Sequence, residues 1–373
     1  MRLNVEGVQV FFVFIFLAVV TNIFLSGFNE SSSDLSVSGF FFYLLIFLVL
    51  CLHLIIGRVD FIFISGCIIT VCLKFLPVPA IVSDTLMILV IAWGISYVRQ
   101  DLTRLHFNLI FIYGLMTTVV GILQVAGVEQ LHLWNTLMTD ERGLIDSSLA
   151  RSLISTPISL IEQSQIRPPG LFHSNAVLSM FVCYFYALLL QKSLRFLPLG
   201  LMAVWICGSK ITFLFALVFP LLMKFQKESL PRYFFLKVYF SIFVFFLVMF
   251  LLFPGVTERR YSVDSFLFAV LLRSVSIDQF ANLGIDFAAM SVFEGSIDAK
   301  DRSNDMLSGI FGFIAIIAPL MLFGLRRSFL LFSKHIAGFS TFFIVSLATA
   351  ITGNPFFIFI MYPIFVSLRA KRI

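Results

Sequence analysis

Charged residues are scarce in this chain. Asp, Glu, Lys and Arg make up 12% of its 373 residues, whereas soluble domains carry roughly 25%. Apolar residues account for 60% of the chain, and apolar runs recur from residue 7 to residue 368 without a polar block long enough to fold separately. A water-soluble surface cannot be built from this composition. We therefore predict an integral membrane protein in which residues 1–373 form a single membrane domain.

Cysteine and histidine are also few, with five of each. The cysteines all lie inside apolar runs, and none forms a C-x-x-C pair, so neither a disulfide framework nor a zinc site is indicated. The long polar segments contain no D-x-D pair and no histidine cluster. We therefore predict no metal and no cofactor.

Twelve apolar stretches are long enough to cross a bilayer, or nearly so, at about 1.5 Å per residue. Four of them are short, and Pro198 and Pro363 would allow a broken or re-entrant segment. The first stretch is too long for a signal-peptide core and lacks a cleavage site, so we expect it to be retained. The predicted fold class is all-α, a polytopic transmembrane helical protein with about 12 spans: 7–28, 38–57, 61–76, 80–98, 106–126, 171–190, 194–207, 209–223, 233–253, 306–324, 335–351 and 355–368.

The distribution of basic residues predicts the orientation, because Lys and Arg concentrate in cytoplasmic loops. If the N-terminus is inside, the cytoplasmic segments hold most of the 26 bases and few of the acids. Both termini are then cytoplasmic. The basic excess is explained by topology, and no nucleic-acid partner is predicted.

Two long segments, about 127–170 and 254–305, fall on the outer side in this arrangement and are predicted to be periplasmic loops. Loops of this kind often carry function. They contain most of the outward bases, although positions near spans on that side normally lack them. An anionic ligand would explain these arginines, and solvated ion pairs with neighbouring acids are the alternative. Within the second loop, residues 265–274 are apolar enough for a helix on the membrane surface or a packed plug.

The stretch Arg167-Pro-Pro-Gly-Leu-Phe-His-Ser-Asn175 closes the first long loop. Pro168 and Pro169 suit a first helical turn, where a missing N–H costs nothing. The free N–H groups of that turn, next to the Arg167 guanidinium, would hold a phosphate or diphosphate. The simpler interpretation is a snorkelling arginine before a proline-capped helix.

This stretch resembles the R-x-x-G-x-x-x-(H)P-N signature of the O-antigen polymerase and O-antigen ligase superfamily. It matches at Arg167, Gly170, His173 and Asn175, whereas Ser174 stands where proline is usual. A second stretch, Gly208-Ser-Lys-Ile-Thr212, is similar to the G-S-R-T element of the family, and its lysine keeps the positive charge. The span number, the cytoplasmic ends and the large loop before the tenth span match as well.

A third family element, His-Asn-x-x-Leu, is incomplete here. The corresponding stretch is Ser303-Asn-Asp-Met-Leu307, and residues 254–305 contain no histidine. The ligases of the superfamily are thought to depend on a histidine in this loop. The departure therefore favours a polymerase over a ligase.

The resemblance implies a reaction at the outer face of the bacterial inner membrane. The growing glycan would move from its undecaprenyl diphosphate carrier onto a new lipid-linked repeat unit, and a chain-length regulator protein would be a partner by family analogy. Fixed cations would stabilise the leaving diphosphate, and His173 or Asp305 would act as general base. His173 can equally be a hydrogen-bonded residue near a helix start, and Asn175 a capping or packing residue. The predicted diphosphate-binding residues are Arg167, Lys210, Arg259, Arg260, Arg273 and Arg302, with Gly170 and Asn175 as structural positions of the motif.

Two other classes of protein remain open at this point. A lipid-glycan flippase or transporter would show internal repeats and charges at mid-membrane. No repeat is evident, and Lys74 and Lys210 fall near outer span ends. A glycosyltransferase that uses a polyprenyl-phosphate sugar would need acids in the first outer loop, where Glu30 and Asp34 stand. That loop, 29–37, is serine-rich and is explained more simply as a solvated turn.

Overall fold

The computed structural model describes residues 5–25, 37–74, 80–97, 102–126, 128, 170–172, 175–226, 230–263, 267, 332–348 and 354–370. All regular structure in these residues is helical. Eleven of the predicted apolar stretches overlap described helices, and the tenth, 306–324, lies outside the described residues. The predicted all-α class is therefore confirmed for the described part of the chain. The loop residues 129–169 and 268–305, including most of the predicted surface helix over 265–274, also lie outside it.

The described helices are numbered here in chain order. Two 3-10 turns, Leu194–Phe196 and Met223–Phe225, adjoin helices in the second half of the chain. The helices are α1 (Val5–Leu25), α2 (Val37–Ile56), α3 (Phe61–Lys74), α4 (Ala80–Ser96), α5 (Thr103–Val125), α6 (Asn175–Lys192), α7 (Leu197–Cys207), α8 (Lys210–Leu222), α9 (Phe234–Leu252), α10 (Pro254–Tyr261), α11 (Ile336–Ala348) and α12 (Phe357–Ala370).

Three helices within the described residues, α1, α5 and α9, are long and apolar enough to cross a membrane. Helices α3, α4, α7 and α12 are apolar but shorter, with 11–17 residues. Helix α9 has only 17% of its residues buried in the bundle, and its exposed side chains include Phe240, Phe243 and Leu251. Large apolar surfaces of this kind are rarely left in water. The described helices are thus compatible with a membrane protein.

Helix α6 forms the centre of the second half of the bundle and packs against α5, α7, α8 and α11. Nearly all of its described side chains are buried, including Phe181, Tyr184 and Tyr186. Helix α5 approaches α6 and α7 closely through glycines. A Cβ on Gly114 would lie 2.4 Å from the Phe185 ring, and one on Gly121 would lie 2.4 Å from Ile206 Cγ2. Small residues at these positions allow the backbones to come together.

Prolines inside the helices do not break them, because other helices satisfy the carbonyls that proline leaves free. Pro363 cannot donate to the Phe359 carbonyl one turn before it, and the buried His106 Nε2 lies 2.9 Å from that oxygen. Pro220 likewise leaves the Ala216 carbonyl free, and the Tyr186 hydroxyl donates to it at 3.0 Å. Pro198 lies in the first turn of α7, where no donor is needed.

One end of the bundle carries most of the described basic side chains and is called the basic end. Three hydrogen bonds connect helix ends there: Gln191 to Gln226 at 2.8 Å, Gln226 to the Lys334 carbonyl at 3.3 Å, and His335 to Ser367 at 2.6 Å. The helix ends that meet there carry Arg58, Arg104, Lys192, Arg195, Lys224, Lys334 and Arg369.

Arg369 holds the last helix, α12, at the basic end. Its guanidinium is paired with the Asp60 carboxylate and lies over the rings of Trp93, at 4.0 Å, and Tyr97, at 4.7 Å. Trp93 Nε1 donates to the same carboxylate at 2.9 Å. A planar guanidinium suits such a stacked and paired position better than an ammonium group. The cluster holds the C-terminus of α12 against α3 and α4.

Candidate functional site

Gly170 is held by a single side chain from α5. Its backbone N–H donates to Gln124 Oε1 at 3.0 Å, and Gln124 Nε2 donates to the Gly170 carbonyl at 3.2 Å. Gln124 is 1% exposed. The side-chain amide thus pairs with the Gly170 backbone in the way that a neighbouring β-strand would. A buried backbone N–H and C=O are both satisfied where no secondary structure supplies a partner.

The conformation at Gly170 requires glycine for two reasons. Its φ of +62° lies in the left-handed region, which side chains with a Cβ rarely adopt. A Cβ there would also lie 2.7 Å from Thr117 Cγ2 and 3.2 Å from the Thr117 carbonyl oxygen. Both features of the geometry favour glycine over any residue with a Cβ at position 170.

The two residues after Gly170 continue into the bundle along α5. The Tyr113 hydroxyl donates to the Leu171 carbonyl at 3.4 Å. Phe172 is fully buried, and its ring packs edge-on against Tyr113 at 5.4 Å and against Phe181 of α6 at 5.1 Å. Residues 170–172 therefore lie between α5 and α6, with Gly170 and Phe172 buried.

Lys210 begins α8 directly after a tight turn. Helix α7 ends at Cys207, and Gly208 adopts a φ of 61°, which closes the helix with a left-handed residue. Ser209 is extended, and Thr212 Oγ1 donates back to its carbonyl at 2.7 Å. Lys210 is therefore the first residue of α8, and both a lysine side chain and the N-terminal N–H groups of a helix favour an anion.

Helix α10 is anchored beside the C-terminal end of α7. The Thr257 hydroxyl accepts from Trp205 Nε1 at 3.2 Å and donates to the Met249 carbonyl at 3.1 Å. The Tyr261 hydroxyl donates to the Val204 carbonyl at 3.3 Å. Arg259 and Arg260 occupy positions in this eight-residue helix. The backbone of α10 lies at the same end of α7 as the Lys210 turn.

The two motif stretches that the sequence singles out meet at one end of the bundle through α5 and α7. Ile206, two residues before Gly208, packs at Gly121, and Gly121 lies one turn before Gln124. We call this the motif end: the C-terminal turns of α5 and α7, residues 170–172, the turn 208–210, and α10. It lies opposite the basic end, because α5 and α7 each run from one to the other.

The structure thus brings together Gly170, Lys210 and the helix that carries Arg259 and Arg260. Asn175 is the first residue of α6. Within the described part of the chain, no group of histidine, cysteine and carboxylate side chains is arranged to hold a metal ion. The other predicted site residues, Arg167, His173, Arg273, Arg302 and Asp305, lie outside the described residues.

Sequence reasoning missed the residues of α5 that hold the motif. The buried face of α5 carries Tyr113, Gly114, Thr117, Thr118, Gly121 and Gln124. A signal was present, because small and polar residues three and four apart in an apolar helix form one stripe that packs against other helices. The lone amide near the C-terminal end of the helix was the strongest part of that signal.

Comparisons of the chain with protein-family models, with curated proteins and with solved structures find no match.

Proposed function

We propose that this chain is a polysaccharide polymerase of the bacterial inner membrane, a polytopic protein of about 12 spans with both termini in the cytoplasm. It joins repeat units that are carried on undecaprenyl diphosphate, and its motif end faces the periplasm. The growing glycan is transferred to a new lipid-linked unit, and undecaprenyl diphosphate leaves. The resemblance of two short motifs to the O-antigen polymerase and ligase superfamily gives the reaction class.

One observation supports this proposal above the others: two motif stretches that are distant in sequence lie at the same end of the bundle. Gly170 is held by Gln124 of α5, and α5 packs through Gly121 against Ile206, four residues before Lys210. The second stretch is thereby held at the same end of the bundle as the first. A reaction that needs cations from both stretches requires such an arrangement.

The chemistry of the leaving group gives positive groups at this end a role in the proposed reaction. A diphosphate gains negative charge as the glycosidic bond to it breaks, and fixed positive groups stabilise that charge. Lys210, the N-terminus of α8 and the α10 positions of Arg259 and Arg260 supply such groups. Arg167 would add a bidentate guanidinium contact, with Arg273 and Arg302 from the long second loop. His173 or Asp305 would accept the proton of the acceptor hydroxyl.

A ligase of the same superfamily is the second candidate, and the lack of histidine in residues 254–305 disfavours it. A flippase is disfavoured because Lys210 begins a helix at the motif end and is not placed in the middle of a span. A polymerase, a ligase and a flippase differ in the glycan that a cell accumulates when the protein is missing. A deletion strain therefore distinguishes these three functions.

In a strain that lacks this chain, we expect single repeat units on the lipid core and no long chains. The measurement is the size distribution of the surface glycan on a gel, with the intact coding sequence restored on a plasmid as the control. A ligase mutant would instead show an empty core with polymer retained on its carrier. An empty core without carrier-linked polymer in the periplasm would indicate a flippase. Either of these profiles would reject the polymerase assignment.

A further inference from the structure

Helix α9 has one face packed against the bundle and one face exposed. Val238, Ile242 and Met249 are buried on the packed face, and the Tyr239 hydroxyl donates to the Leu217 carbonyl at 2.8 Å. This contact places the start of α9 beside the end of α8, at the basic end. Exposed residues three and four apart form a stripe along the opposite face. We call it the α9 stripe, and it consists of Tyr233, Lys237, Phe240, Val244, Leu247 and Leu251.

The α9 stripe suits lipid chains better than it suits another helix. Helices that pack together in a membrane use small residues to bring their backbones close, as α5 does at Gly114 and Gly121. The α9 stripe contains no glycine, alanine, serine or threonine, and after Lys237 all of its residues are bulky and apolar. An exposed apolar surface of this length needs a cover. Acyl chains can follow such a surface without requiring two backbones to approach.

Two cations and a phenol stand where the α9 stripe begins. Arg232 Cζ lies 5.7 Å from the centre of the Tyr233 ring, and the side chains of Arg232 and Lys237 are exposed. Helical side chains lean towards the N-terminus of their helix, so Lys237 leans towards Tyr233, one turn earlier. Residues 230–252 contain no acidic residue. Basic groups together with a tyrosine are typical of the level of lipid headgroups, and both cations can bind a phosphate.

We propose that the α9 stripe binds an anionic phospholipid. Its phosphate is held by Arg232 and Lys237, and its acyl chains lie along the apolar part of the stripe. A zwitterionic lipid carries a positive group beside the same phosphate, so it binds more weakly. The site is independent of the proposed reaction, because it uses no residue of the two motif stretches.

The test is a lipid titration of the purified full chain in detergent, followed by native mass spectrometry. Phosphatidylglycerol and phosphatidylcholine with the same acyl chains are the two probes, and we expect phosphatidylglycerol to bind more tightly. Each basic residue near an anionic lipid surface contributes roughly 5-fold in affinity, so Arg232→Gln with Lys237→Gln should weaken the binding of phosphatidylglycerol roughly 30-fold. The binding of phosphatidylcholine should change little. Wild-type affinity of this double variant for phosphatidylglycerol would overturn the proposal.

Arg58→Gln with Arg104→Gln is the matched control. It also removes two exposed charges at the basic end, but none from α9. We expect this variant to keep the affinity of the wild type for phosphatidylglycerol. An equal loss in the control would mean that net charge alone attracts the lipid, and the site on α9 would be rejected.

Two further measurements distinguish other occupants of the stripe. The soluble anion sn-glycerol 3-phosphate has the phosphate of the headgroup without acyl chains, and we expect it not to displace phosphatidylglycerol. Displacement would indicate a site for a soluble anion and would overturn the lipid assignment. The mass spectrum also reports the number of copies of the chain. A dimer that Phe240→Ser dissociates would show that a second copy covers the stripe, and it would contradict the proposal.

Discussion

Replacing Arg167 by alanine is expected to abolish long glycan chains while the protein still reaches the membrane in normal amount. In the proposed reaction, the Arg167 guanidinium is the cation that the R-x-x-G motif contributes to the leaving diphosphate. Removing one such preorganised group costs about 100- to 1,000-fold in rate in other enzymes. Arg167→Lys is expected to rescue poorly, because an ammonium group keeps the charge but loses the two parallel N–H···O contacts.

The measurement is the chain-length distribution of the surface glycan in a deletion strain that expresses each variant, with the membrane level of the protein checked by immunoblot. Arg195→Ala is the matched control, since Arg195 is an exposed arginine at the basic end. It should support normal polymer. Normal chain length in Arg167→Ala would remove Arg167 from the site.

Replacing Gly170 by alanine is expected to have a comparably large effect, for reasons that the described geometry supplies. The left-handed φ of +62° costs a residue with a Cβ about 1–2 kcal/mol. The new methyl group would in addition lie 2.7 Å from Thr117 Cγ2, in contact with a buried helix. We expect residues 170–172 to lose their packing against α5. We also expect the long glycan chains to be lost.

Substitutions at two other glycines separate the cost of the left-handed φ from the cost of the clash. Gly57 has a φ of +71° and open space around it, so Gly57→Ala tests the conformational cost alone. Gly255 has open space and no positive φ, and Gly255→Ala should behave as wild type.

The clash at Gly170 can also be relieved directly. Thr117→Ser removes the methyl group that Gly170→Ala would meet, so the double variant is expected to recover part of the polymer length lost in Gly170→Ala. Chain length and the midpoint of thermal denaturation in detergent are the measurements. Normal polymer length in Gly170→Ala would show that the packing of Gly170 against α5 has no part in the reaction.

The helical class could be predicted from the sequence because it follows from composition. Long apolar runs with few charges allow little besides helices, and eleven of the predicted stretches overlap described helices. Gly170 could also be singled out from the sequence, because it matches a position of the family signature. Neither inference needs knowledge of which residues meet in space.

The contacts that fix the site could not be predicted in this way. Gln124 and Gly170 are separated by a long polar segment, and His106 meets the carbonyl freed by Pro363 across 253 residues. Apolar periodicity reports which face of a helix is buried, but not which partner covers it. The stripe on α5 therefore indicated a packed face, and only the structure identified Gly170 as its partner.

The account depends most directly on which side of the membrane the motif end faces. Gly255 of α10 is exposed at the motif end and Arg195 is exposed at the basic end, so single cysteines at these positions report the two sides. The native cysteines are removed first, because Cys72 is exposed. A membrane-impermeant maleimide applied to spheroplasts should label Gly255→Cys at once and Arg195→Cys only after permeabilisation. The reverse pattern would place the motif end in the cytoplasm and contradict the proposed reaction.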